Sequence, residues 1–165
     1  MTQPAQPTQV WLTHKTLDRL TAEIADLKGP RRQEIIDRIS AARDEGDLKE
    51  NGGYHAAKDE QGKMEARILQ LDEMLSHVST EESADDGIVS PGKVVTYRYA
   101  GDDTDEVFLL GAREVDDDHD IEVFSPQSPL GAALLGATKG STVDFEAPNG
   151  TTLKLEIVDA VPFSE

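Results

Sequence analysis

The sequence predicts an α+β chain in two parts: an N-terminal antiparallel α-helical coiled-coil hairpin, followed by a small antiparallel β domain with one short helix. Three observations predict it. Tyr54, Ala57, Gln61, Met64, Ile68, Leu71, Leu75 and Val78 recur at alternating spacings of three and four, the narrow apolar seam of a coiled-coil helix. From Pro91 onward the apolar period falls to two, the pattern of half-buried strands. Charge is also divided: residues 1–78 hold 11 Lys+Arg against 14 Asp+Glu, whereas residues 79–165 hold 5 against 19. Most of the net charge of -17 therefore sits in the second part, which marks two parts with different tasks.

Residues 1–12 read as a flexible lead-in, and the hairpin is expected over 13–78. Thr13 can cap a helix starting near Lys15, with Leu12 stapling its first turn. Leu17, Leu20, Ile24 and Leu27 form the first seam. Gly29-Pro30 interrupts it, and the seam resumes displaced at Ile35, Ile36, Ile39 and Ala42. Proline inside a helix removes a backbone donor and crowds the preceding turn, so a bend is expected there, although Pro30 could instead sit in the first turn of a restarted helix. The turn falls in residues 44–53, where Asp44, Glu45, Asp47 and Glu50 are interleaved with Gly46 and followed by Asn51-Gly52-Gly53. Two such arms joined by a short Gly-containing turn make an αα-hairpin. At 1.5 Å per residue, arms of about 25 residues make a rod of roughly 35–40 Å. Antiparallel pairing would set Leu17 near Val78, Ile24 near Leu71 and Ile39 near Ala57. Ala42, Ala56 and Ala57 replace leucines near the turn and keep it thin.

Residues 79–90 read as a solvated linker, and residues 91–165 as the β domain. Strands are predicted over Lys93–Tyr99, Glu106–Leu110, Ile121–Phe124, Thr142–Glu146 and Thr151–Val158. Turns are predicted at Gly101-Asp102 and at Asn149-Gly150, a strong hairpin signal. Leu130–Ala137 reads as the short helix.

Composition narrows the function classes. Hydrophobic content of 37% and aromatic content of 5% do not suit one large core. The apolar runs are too short to span a bilayer, and the polar N-terminus does not read as a signal peptide; a cytoplasmic location is expected, with no membrane partner. Without cysteine there are no disulfides and no thiolate metal sites. An acidic second part should be repelled by duplex DNA, and a positively charged protein surface suits it better.

Chemistry concentrates at the turn. Asp47 and Glu50 stand three residues apart, so on a helix or tight turn their side chains share one side. Such a pair can bridge one hard cation such as Mg²⁺ but leaves most of its coordination open, which suits completing a site on a partner; the same residues also fit a plain solvated acidic turn. Lys28, Arg31, Arg32, Arg38, Arg43, Lys49, Lys58, Lys63 and Arg67 could meet the phosphates of a single strand, or pair with the interleaved acids, as Arg38 could with Glu34. Tyr54 and His55 could stack on a base or assist proton transfer, although Tyr54 falls in the seam. The remaining histidines match no catalytic or metal-binding spacing. No self-sufficient active site is legible.

Glu45-Gly46-Asp47-Leu48-Lys49-Glu50-Asn51 followed by Tyr54-His55-Ala56-Ala57-Lys58 resembles the signature of the bacterial Gre transcript cleavage factors, of the GreA type. Arg31-Arg32-Gln33-Glu34-Ile35-Ile36 and the stretch from Ser125-Pro126 to Gly136 are similar to that family too, so that the resemblance spans about residues 11–163. It implies a C-terminal domain similar to FK506-binding proteins that docks on bacterial RNA polymerase at the mouth of the secondary channel, with Ser125, Pro126, Ser128, Pro129 and Leu130 as the docking residues. It implies that the coiled coil reaches the active centre, where Asp47 and Glu50 help hold a Mg²⁺ shared with the polymerase and orient water. It implies hydrolysis of the 3′ end of a backtracked nascent RNA, contacted by Arg31, Arg32, Arg43 and Lys58. The protein would stimulate the polymerase and not be an enzyme by itself. The alternative is a Gre-like factor that occupies the channel and inhibits. Many family members carry Ala-Glu where this chain has Gly52-Gly53, which removes a charge and loosens the start of the second helix.

Overall fold

The computed structural model describes residues 9–46 and 50–165. The chain divides into two compact units, one of residues 17–77 and one of residues 1–16 with 78–165. The sequence-predicted α+β class holds.

In the hairpin unit, helix α1 (His14–Asp26) runs through a π-helical turn (Leu27–Arg31) into α2 (Arg32–Asp44), and α3 (Gly52–Leu75) returns. The π turn contains Pro30. A wider turn accommodates the missing N–H and the ring that a regular α-helix excludes, so the helix continues where a restart was an option. Widening also rotates the seam. Beyond it Ile35, Ile39 and Ala42 are buried, whereas Ile36 is 43% exposed. Ile35, Ile39, Ala57, Met64 and Ile68 form one cluster, joined by Leu27 and Tyr54. Each fully buried Leu or Ile in such a seam contributes about 1.5–3 kcal/mol. The seam differs from expectation at its end: α3 stops at Leu75, and Val78 leaves it to pair with Val10.

Salt bridges flank the seam. Arg32 clasps Glu65 through two bonds of 3.0 and 2.9 Å. Arg31 and Arg38 share Glu60 at 2.7 and 2.8 Å. Lys28 meets Asp72 at 2.9 Å, and Arg67 meets Glu23 at 2.7 Å. Every one of these joins opposite arms, so the charges select the antiparallel register along with the apolar seam.

The second unit is built on a five-stranded sheet ordered β5-β4-β3-β7-β6: β3 (Lys93–Tyr99), β4 (Asp105–Leu110), β5 (Val123–Phe124), β6 (Thr142–Glu146) and β7 (Thr152–Pro162). The central strand β3 pairs antiparallel with β4 and with β7, with a bulge at Thr96/Tyr97 on the β7 side. The expected all-antiparallel sheet is corrected here. Strand β5 runs parallel to β4, because the 3₁₀ segment Arg113–Asp117, anchored by buried Val115, turns the chain back before β5 begins. The core comprises Val89, Val95, Tyr97, Phe108, Leu110, Leu134, Leu155, Ile157 and Ala160. Helix α4 (Pro129–Leu134) covers it and is shorter than the predicted Leu130–Ala137.

Two stretches predicted as loose are built into this unit. The part of the lead-in that the structure describes contributes β1 (Val10–Trp11), parallel to β2 (Val78–Ser79). Leu12 is fully buried, and Trp11 packs edge-on to Phe163 with centroids 6.2 Å apart. Trp11 also lies so close to Gly92 and Gly111 that a Cβ at either glycine would come within 3 Å of its ring. The segment read as a linker, 79–90, ends in the core at Val89. Before that, Asp86 and the Ile88 carbonyl accept from the fully buried Lys93 ammonium. A lysine buried this deeply needs such partners, and its charge ties the segment to the start of β3. The ammonium beside Asp86 holds that carboxyl below its ordinary value.

The start of α1 belongs to this unit as well. Thr13 caps it, accepting from the Thr16 N–H at 3.2 Å. Glu165 accepts from the Lys15 N–H at 3.0 Å and meets His14 at 2.9 Å. Burial pulls the Glu165 carboxyl up, but these two partners outweigh it and hold the pKa low.

Candidate functional site at the hairpin tip

The sequence-predicted acid pair divides at the edge of the described structure. Glu50 is described and exposed; Asp47 lies outside the described residues, with Leu48 and Lys49. On the near side, α2 runs out at Asp44, and Gly46 adopts φ 143°, a conformation that side chains disfavour. Glu45, Gly46, Glu50 and Asn51 line one shallow cleft. Glu45 and Glu50 therefore border one cleft on the two sides of the turn. Among the described residues no three His, Cys, Asp or Glu side chains assemble as a metal-holding group. The donor chemistry, hard carboxylate oxygen, fits Mg²⁺ as a partial ligand set.

Asn51 is the residue whose role sequence reasoning missed. Its side-chain carbonyl accepts from the Tyr54 N–H at 3.1 Å and so caps α3. Its side-chain amide donates to the Ala42 carbonyl at 2.5 Å, near the end of α2. The first of these was legible as an Asn directly before a helical seam. The second joins positions distant in sequence and leaves no sequence signal.

The predicted cationic residues occupy different settings. Arg31 and Arg32 are engaged by Glu34, Glu60 and Glu65, so their charges are met within the hairpin. Lys58 donates to Gln61 at 3.0 Å, on the tip-proximal part of α3. Arg43 lies over the Tyr54 ring, 5.8 Å from its centroid, a cation–π geometry. Tyr54 meets His55 edge-on at 5.6 Å and packs against the seam, as its position predicted. Arg43, Tyr54 and His55 thus bring a cation and two rings to the base of the tip.

In the sheet unit, the predicted docking residues form a tight turn into α4. Ser128 caps the helix, accepting from the Gly131 N–H at 3.1 Å, and its hydroxyl donates to the Ser125 carbonyl at 2.6 Å. Pro129 opens α4 and is exposed, whereas Leu130 leans on the core. Tyr97, Tyr99, Phe108 and Phe124 are spent on edge-to-face contacts with one another. No helix of the described residues is long and apolar enough to cross a membrane.

Comparison with known proteins covers both units. Residues 10–79 match the family described as transcription elongation factor, N-terminal, and residues 84–162 match transcription elongation factor, GreA/GreB, C-term. The transcription elongation factor GreA of Saccharopolyspora erythraea is 50% identical over 159 residues, covering 95% of this chain and 98% of that protein. Those of Streptomyces coelicolor and Streptomyces avermitilis are each 48% identical, covering 93% of this chain and 94% and 93% of theirs.

Proposed function

This chain belongs to the GreA/GreB family of transcription elongation factors, of the GreA type, and from that premise we propose that it stimulates transcript cleavage by bacterial RNA polymerase. The hairpin enters the secondary channel and presents its tip to the polymerase active centre. There the 3′ segment of a backtracked nascent RNA is hydrolysed and a new 3′-OH is left in register. The observation that carries the reading is the tip: exposed Glu50, in a cleft shared with Glu45, adjoins a helix start locked to the opposite arm by Asn51. A carboxylate on a firm mount can complete a metal site that it cannot form alone.

Asp47 and Glu50 would hold Mg²⁺ together with acidic groups of the polymerase. The ion supplies an acidified water and charge neutralisation at the scissile phosphate. Glu50 is exposed and its backbone adjoins a capped helix start, which limits how far the carboxylate can wander. Arg43 and Lys58, on either arm beside the tip, neutralise phosphates of the extruded RNA. Arg31 and Arg32 reach RNA only by exchanging their carboxylate partners, which makes their contribution smaller. Ser125, Pro126, Ser128, Pro129 and Leu130 form the polymerase-docking turn, held rigid by the Ser125–Ser128 bond. The factor would work in the bacterial cytoplasm, where transcription takes place.

The test uses a backtracked elongation complex with end-labelled RNA and Mg²⁺. Cleavage is expected to accelerate strongly with this protein and to return to the unassisted rate with Asp47→Asn/Glu50→Gln, polymerase binding being retained. Binding without acceleration would refute the reading and place the chain among channel-occupying inhibitors.

A further inference from the structure

Among the described residues the tip has little apolar material to hold it. Ala42 and Ala57 are the buried side chains nearest to it, and Gly52 and Gly53 open α3 with no side chain to pack. Each helix end also leaves backbone groups without helical partners. One side chain meets such a group on both arms. Asn51 Oδ1 takes the Tyr54 N–H of α3, and Asn51 Nδ2 gives to the Ala42 carbonyl of α2, which the Glu45 N–H also approaches at 3.2 Å. The amide orientation is set by the partners, since the reverse would face oxygen to oxygen at Ala42 and N–H to N–H at Tyr54. The Asn51–Ala42 bond ties the end of α2 to the residue that directly follows Glu50.

We propose that Asn51 is the positioning residue of the tip, its cross-arm bond to Ala42 holding the start of α3, and with it Glu50, to the end of α2 for the cleavage reaction. The inference rests on the function proposed above and adds a residue that touches neither RNA nor metal. Asparagine suits both halves of the clamp. Aspartate and serine keep an acceptor for the cap; aspartate has no donor for Ala42, and serine is too short to span both partners. Substitution can therefore separate capping from clamping.

The experiment compares the full chain with Asn51→Ala, Asn51→Asp and Asn51→Ser by two readouts. Serine controls for the added carboxylate beside Glu50. Amide hydrogen exchange is read at Tyr54 and Glu45. Loss of the cap in Asn51→Ala should speed exchange at Tyr54 about fivefold to tenfold. Asn51→Asp and Asn51→Ser should protect Tyr54 while Glu45, at the end of α2, exchanges faster. Cleavage is then measured against factor concentration. All three variants should lose about tenfold or more in maximal rate while the half-saturating concentration stays within about twofold, because docking is untouched. Wild-type maximal rate in Asn51→Asp and Asn51→Ser would overturn the proposal by reducing Asn51 to a helix cap. Unchanged exchange at Glu45 would overturn the clamp, whatever the cleavage data. If the wild-type protein itself fails to accelerate cleavage, the functional reading falls and the positioning role with it, while the exchange data still decide the clamp.

Discussion

Replacing Gly131 by alanine sets two effects of opposite sign against each other. Gly131 lies inside α4 without positive φ, so helix propensity alone favours alanine by about 1 kcal/mol. A Cβ built there, however, lies 2.1 Å from the Ser125 carbonyl oxygen and 2.9 Å from Ser128 Oγ. Ordinary contact begins near 3.4 Å, so the turn would have to open by about 1.3 Å. Opening it strains two bonds to the Ser125 carbonyl, from the Ser128 N–H at 3.0 Å and the Ser128 hydroxyl at 2.6 Å. Each is worth about 1 kcal/mol, and overpacking typically adds about 1–3 kcal/mol. Net of propensity, the substitution should cost about 2–4 kcal/mol. Trp11, the one tryptophan of the chain, packs on Phe163 within the sheet unit, so its fluorescence reports that unit during urea unfolding. With a slope of about 2 kcal/mol per molar urea, the middle of the usual range, the midpoint should fall by roughly 1–2 M. A midpoint that stays or rises would refute the close approach of Ser125 to α4.

Gly52→Ala should act in the opposite direction: nothing lies within 4 Å of a Cβ there, and a gain of about 0.5 kcal/mol is expected in thermal unfolding followed at 222 nm. A loss would mean that α3 does not begin at Gly52. The sheet unit should weaken in acid. Asp86 and Glu165 are both held below their ordinary values of 3.8 and 4.5, so their stabilisation is present above those values and fades as pH falls through the lowered ones. Asp86→Asn should therefore be less stable than wild type near neutrality and converge with it as pH falls through the lowered Asp86 value, read by Trp11 fluorescence in urea; a constant gap across pH would contradict the Lys93 pairing. For the half-exposed Arg32–Glu65 clasp, a double-mutant cycle with Arg32→Gln and Glu65→Gln should give a coupling of about 0.2–1 kcal/mol that shrinks at high salt. Coupling that ignores salt would argue against an ion pair.

The period of the return arm is enough to place α3 and its buried residues Ala57, Met64, Ile68 and Leu71, because a coiled-coil helix repeats its environment along its own length. Strands β3 and β6 were legible residue for residue for the same reason. Strand β5 was legible at Val123–Phe124 but not in its start, predicted at Ile121, nor in its direction, because two residues carry no period and the parallel course comes from the turn anchored by Val115. Residues 10–12 read as loose because so short an apolar run after a polar lead-in carries no period, and 83–90 because their composition is polar or mixed, yet Trp11, Leu12, Val89 and the Asp86–Lys93 pair bind them into the sheet unit through partners far along the chain.

The candidate site shows the same division. The chain by itself determined where the acids and cations lie, how far apart they stand and that Asn51 precedes a helix, since these are properties of spacing. Only the tertiary structure decided that Arg31 and Arg32 answer to acids on the other arm, that Arg43 rests on Tyr54 and that Asn51 reaches Ala42. Those outcomes depend on which residues the antiparallel register brings opposite each other. That register is selected by the π turn at Pro30, the seam and the cross-arm charges acting together, and no single stretch of sequence contains it.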